Sequence, residues 1–117
     1  MTDSLVDQLR AALRDAMVER DRDLVAALRS CLAVIDNATS KGIAAPRAGA
    51  IEVSVAGLSA AEVPRRQLTG EDIEALVDAE LADRVAAADE LEAAGRGDQA
   101  QVMRETTERL RAATQPG

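Results

Sequence analysis

The sequence has no histidine, phenylalanine, tyrosine or tryptophan, and only one cysteine and one lysine, Cys31 and Lys41. Without histidine there is no side chain that titrates near neutrality. Imidazole-based triads, general bases of that kind and His-ligated metal sites are therefore excluded. A lone cysteine forms neither an internal disulfide nor a thiolate cage. With no aromatic ring there is no platform for stacking on bases, and 14 basic against 21 acidic residues leave a net charge of −7 that opposes phosphate binding. Runs of 18 or more apolar residues, the length a membrane helix needs, are missing, as is a charged-then-apolar leader. The expectation is a cytoplasmic protein with no membrane, DNA, metal or cofactor partner.

What is present is alanine and aliphatic side chains. The 117 residues fit one domain, 1–117, and the apolar fraction of 47% is enough for a core, which must be built from small aliphatic groups. Leu5, Leu9, Leu13 and Met17 recur at four-residue steps, with Val6, Ala12 and Ala16 beside them, which predicts a helix over about 4–20. Ser4 stands where an N-cap belongs, with Asp7 in the first turn. After Asp21-Arg22-Asp23 interrupts the rhythm, Leu24, Leu28, Leu32 and Ile35 resume it over about 22–38, and Asn37, Thr39, Ser40 and Gly42 supply a stop.

Between residues 41 and 68 the pattern dissolves among Gly42, Pro46, Gly49, Gly57 and Pro64, so a long irregular loop is expected, although Ile51-Glu52-Val53-Ser54-Val55 alternates as a strand does. Thr69 and Asp72 resemble a capping box opening a third helix over about 70–94, with Ile73, Leu76, Val77, Leu81, Val85, Ala88 and Leu91 on its stripe. Gly95 is placed to end it with positive φ. Asp98 with Gln101 repeats the capping pattern for a last helix over about 98–113, whose thinner stripe is Ala100, Met103, Thr107, Leu110 and Thr114. The fold class is therefore all-α, two helical hairpins of about four helices joined by a long loop. Leu9, Leu13, Leu28, Leu32 and Ile35 are expected to pack against Ile73, Val77, Leu81 and Leu110. Val18, Val25 and Val102 remain as apolar surface for a homodimer.

The two halves differ in charge. Residues 1–66 hold nine basic and nine acidic residues, whereas 67–117 hold five and twelve, so the whole net charge lies in the second half. The acidic face of the third helix reads as solvated surface, and Glu80 with Arg84, four residues apart, as a helical ion pair. Cys31, between Leu28 and Leu32 on an apolar stripe, reads as a buried structural residue. Arg65 and Arg66, with Arg47 and Lys41, form the basic patch outside the helices. Arg96, between Gly95 and Gly97, has two roles open to it: its guanidinium can bond the last carbonyls of the third helix, or it can meet a phosphate or carboxylate. Candidate partner-contact residues are therefore Arg65, Arg66 and Arg96; no catalytic, cofactor-binding or metal-ligating residue is expected.

The stretch Leu9, Ala16-Met17, Arg20-Asp21, Leu24, Leu28-Arg29, Leu32, Ile35 and Asn37-Ala38 resembles the start of GatB/YqeY-domain proteins. The second half is similar to them in Glu80, Arg84, the alanines at 86–88, Glu90, Gly95-Arg96, Asp98, Ala100, Glu105 and Leu110. Glu62-Val63-Pro64-Arg65-Arg66-Gln67-Leu68-Thr69 looks like actinobacterial versions of the family. The likeness spans nearly the whole chain, least over 41–61, and covers the N-terminal helical domain of YqeY-like proteins without their GatB-like C-terminal tail domain. It implies a helical interaction module that has a protein partner and is accessory to tRNA-dependent amidotransferase or translation machinery, with tRNA reached only indirectly. The alternative it implies is a subunit of a glutamine-dependent carbon–nitrogen ligase that borrows its active site from a partner chain.

Overall fold

A computed structural model describes residues 4–41 and 68–115. The alternating segment 51–55 and the loop containing it lie outside the described residues. Four helices follow one another along the chain: α1 Leu5–Glu19, α2 Arg22–Lys41, α3 Gly70–Ala93 and α4 Gly97–Ala113. Short turns join α1 to α2 and α3 to α4, giving the two hairpins that the apolar spacing predicts.

The helix starts follow local chemistry. The Ser4 hydroxyl accepts from the Asp7 N–H at 3.1 Å and satisfies one of the free donors that begin α1. At α3 the capping box is complete: the Asp72 N–H donates to Thr69 Oγ1 and the Thr69 N–H to Asp72 Oδ2, each at 3.0 Å. Asp21 starts α2, its Oδ1 accepting from the Leu24 N–H at 3.3 Å. The start of α4 corrects the expected Asp98 cap. Gly97 opens that helix, Arg96 holds the cap position without a side-chain bond, and Asp98 lies in the first turn, where its charge faces the positive helix end.

Both hairpin turns use the same backbone closure. At the end of α3, Gly95 takes φ +82°, the Gly95 N–H donates to the Glu92 carbonyl at 3.0 Å and the Arg96 N–H to the Leu91 carbonyl at 2.8 Å. At the end of α1, Arg20 takes φ 60°, its N–H donates to the Met17 carbonyl at 3.2 Å and the Asp21 N–H to the Ala16 carbonyl at 2.9 Å. Glycine enters the left-handed region freely, whereas arginine carries a Cβ that opposes it. Helix α2 runs to Lys41 rather than stopping near 38. Thr39 lies inside it, its hydroxyl bonding back to the Ile35 carbonyl at 2.9 Å.

All four helices contribute to one aliphatic core. Leu9, Leu28, Ile35, Val77, Leu81 and Leu110 are buried in it, and Leu13, Leu32, Ile73 and Val25 pack against its margin. Val25 is half-buried, one side against the core and the other open, while Val18 and Val102 are exposed. Alanines at 16, 27, 38, 88 and 100 are buried, so the helices approach closely where no large side chain separates them. Polar ties join the hairpins, two of them to α4 and its C-terminal end. The Arg109 guanidinium forks onto both carboxylate oxygens of Asp21, and Gln8 Nε2 donates to the Gln115 carbonyl at 3.1 Å.

Candidate functional site

Where α2 meets α3, a polar cluster interrupts the aliphatic packing. The Ser30 hydroxyl donates to Glu80 Oε2 at 2.8 Å, and Arg84 Nε lies 3.5 Å from the same oxygen, the expected ion pair turned toward α2. Arg84 Nε is itself buried and makes no hydrogen bond. Cys31 lies in the adjoining core, almost fully buried. Burial pushes its thiol up to about 11; the Glu80 carboxylate adds to the rise and Arg84 opposes it. A thiol held in this way stays protonated and is a poor nucleophile. The Glu80 carboxylate accepts from a hydroxyl and is ion-paired with a guanidinium, so the cluster ties α2 to α3.

Arg96 closes α3 through its backbone. The guanidinium makes no capping bond, which corrects the side-chain capping role that the sequence leaves open to it; the last carbonyls of α3 are met by the N–H groups of residues 94–96. The side chain is exposed in the α3–α4 turn. Arg65 and Arg66, with Arg47, lie outside the described residues.

The concave surface of the fold lies elsewhere, on the outer face of the α1–α2 hairpin. One groove of about 590 Å³ runs between Arg10 and Leu13 of α1 and Arg29, Leu32 and Asp36 of α2, and reaches Leu68 and Ile73 at the start of α3. A second, of about 450 Å³, continues it past Met17, Arg20, Arg22 and Val25 toward the α1–α2 turn. Arg29 lines both, so the two adjoin on one face of the hairpin and make a shallow, open channel with Arg29 at the junction. Its floor is aliphatic, and Met17 is 49% exposed there.

The arginines of the two hairpins are used differently. On α3 and α4, Arg84 pairs with Glu80, Arg104 with Asp89 and Glu92, Arg109 with Asp21, and Arg111 with Glu108. Arg10, Arg20, Arg22 and Arg29 line the channel, are exposed, and have no ion pair or side-chain hydrogen bond among the described residues. Sequence reasoning passed over them because the first half of the chain is neutral in sum. The signal was nonetheless there in part, since 10, 13 and 17 on α1, and 22, 25, 29, 32 and 36 on α2, recur at three- and four-residue steps and so share one face of each helix, with Arg20 following in the turn.

Among the described residues no group of three or more Cys, Asp or Glu side chains is arranged to hold a metal ion. None of the described helices is long and apolar enough to cross a membrane. No protein-family model, curated protein or solved structure matches the chain significantly.

Proposed function

We propose that this chain is a non-catalytic helical interaction module of the YqeY-like type, whose work is to hold a protein partner. The observation that carries the reading is the α1–α2 channel, an open groove with an aliphatic floor and arginines that have no ion pair among the described residues. Exposed, unpaired guanidiniums beside apolar surface are what a recognition surface offers, because arginine gains most from a carboxylate or phosphate that reaches it away from bulk water. The resemblance to GatB/YqeY-domain proteins supports placing the partner in tRNA-dependent amidation or translation machinery, with any contact to tRNA made through that partner. The residue types argue in the same direction: the buried thiol and the engaged Glu80 carboxylate are structural groups.

The test has two arms. The purified full chain is incubated with glutamine and ammonia release is followed; none is expected, and release from pure protein overturns the non-catalytic reading in favour of a ligase subunit. The tagged chain is then captured from its host lysate with and without ribonuclease. A protein recovered in stoichiometric amount under both conditions is expected, whereas recovery of RNA alone overturns the module.

A further inference from the structure

Resting on the reading of the chain as an interaction module, we propose that the α1–α2 channel is the docking site for an acidic amphipathic helix of a protein partner. The shape comes first. The channel follows two helices packed side by side, and the 15 residues of α1 span about 22 Å at 1.5 Å per residue, room for roughly four turns of a third helix. Its floor has Leu13, Leu32 and Val25 half-buried and Met17 largely open, a surface that accepts aliphatic side chains at i, i+3, i+4 and i+7 of a guest helix.

Charge selects the guest. Along the channel stand Arg10, Arg20, Arg22 and Arg29 against the single carboxylate of Asp36. The other acids of this hairpin, Asp7, Asp15, Glu19 and Asp23, are outside the lining, and Asp21 is taken by Arg109. Carboxylates flanking the guest's apolar stripe would meet guanidiniums in the forked geometry that arginine favours.

Three other occupants fit less well. The chain's own residues 42–67 carry Arg47, Arg65 and Arg66 against Glu52 and Glu62, so their charge has the wrong sign for the channel. A second copy could offer the acidic outer face of α3, but the only large exposed apolar side chain on that helix is Val85, and a net charge of −7 on each copy opposes association. An RNA strand would satisfy the arginines and leave the aliphatic floor uncovered, with no aromatic side chain to stack on its bases.

The experiment is a fluorescence-anisotropy titration of the full chain with three probes. These are a labelled synthetic helix with leucines at the stripe positions and glutamates beside them, a scrambled peptide of the same composition, and a single-stranded RNA oligonucleotide. The amphipathic acidic peptide is expected to bind at least about tenfold more tightly than the other two, with affinity falling as salt is raised. Arg29→Glu and Met17→Glu, both on exposed helix positions, are each expected to weaken it about tenfold, the rim through charge and the floor through lost apolar contact, while Arg96→Glu on the other hairpin leaves it unchanged. Circular dichroism of each variant checks that the helices are retained.

Equal binding of the scrambled peptide, tighter binding of the RNA, or indifference to Arg29→Glu overturns the proposal. So does a dimer in sedimentation that Arg29→Glu dissociates, which would give the channel to a second copy. To separate this proposal from the module reading, a photo-cross-linking residue is placed at exposed Ala33 in the channel or at exposed Ala79 on α3, and the full chain is irradiated in its host lysate. A protein captured through Ala79 and not Ala33 leaves the module standing and removes the channel; capture through neither removes both.

Discussion

The alkaline limb of the stability profile reports on the interior of this fold with little interference. Between neutrality and the arginine range only Cys31, Lys41 and the amino terminus titrate, because the chain has no tyrosine or histidine and only one lysine. Cys31 moves from an ordinary 9.0 to about 11 on folding, chiefly through burial and secondarily through the Glu80 carboxylate. A folded-state value above the unfolded one means that the folded protein holds the proton more tightly. Stability is therefore complete below pH 9, falls as the unfolded thiol ionises, and levels off above about 11 once both states are ionised. A rise from 9.0 to about 11 is worth about 3 kcal/mol at 1.36 kcal/mol for each tenfold change in proton affinity, a large share of what a small domain has.

The assay is urea unfolding followed by far-ultraviolet circular dichroism, the chain having no aromatic fluorophore, repeated from neutral pH to just past 11. Cys31→Ala removes the titrating group and is expected to flatten this limb after a constant loss of about 1 kcal/mol for the small cavity. Glu80→Gln removes the second cause of the rise, so its profile should begin to fall at the same pH and level off earlier. Wild type and Cys31→Ala running parallel from pH 9 to 11 would refute the burial of the thiol. Fast labelling of the native protein by a thiol reagent, at a rate indifferent to low urea, would refute it independently.

Further outcomes follow from the turns and the polar ties, all read as changes in unfolding free energy. Arg20→Gly should stabilise the protein by about 1 kcal/mol by removing a Cβ from a left-handed residue, and Gly95→Ala should cost about the same; equal and small effects at both would show that the two turns do not share a closure. Asp21→Ala loses both the α2 cap and the Arg109 fork and should cost about 2 kcal/mol, while Arg109→Ala, half-exposed, should cost about 0.5 kcal/mol; equal costs would remove the cap from the account. Thr106→Val deletes a buried hydroxyl without a partner and should stabilise by about 1 kcal/mol, whereas Thr107→Val, whose hydroxyl bonds the Met103 carbonyl at 2.7 Å, should stay within about 0.5 kcal/mol of wild type.

What was legible in the sequence was whatever is decided within one helical turn. Ser4, the Thr69–Asp72 pair and Gly95 act on backbone groups three or four residues away, and their positions carried over directly. The hairpin pairing followed from the short turns, and Leu9, Leu28, Ile35, Val77, Leu81 and Leu110 from their spacing. The left-handed Arg20 was not legible, since only the backbone closure of α1 requires that conformation of a residue type that avoids it. On α3 the interior face is centred nearer Glu80 and Arg84 than the apolar stripe suggests, because α2 presents Ser30 there; Val85 is displaced to the rim and is 42% exposed. A polar partner on another helix outweighed local hydrophobicity, and one-dimensional spacing carries no record of that partner.

The channel arginines were hidden for a related reason. Net charge sums over sequence, whereas recognition acts over a face, and a neutral hairpin can put four of its arginines on one side and most of its acids, with Arg14, on others. The absent aromatics then bear on how such a face binds. Interface energy is usually concentrated in tryptophan, tyrosine and arginine, and this chain can supply only the last. An arginine-rimmed aliphatic groove must draw much of its selectivity from the charge of its guest and take any aromatic anchor from the guest's side. Complex formation by this surface should accordingly depend on salt, and a single charge reversal at Arg29, where the two halves of the channel meet, should be felt along its whole length.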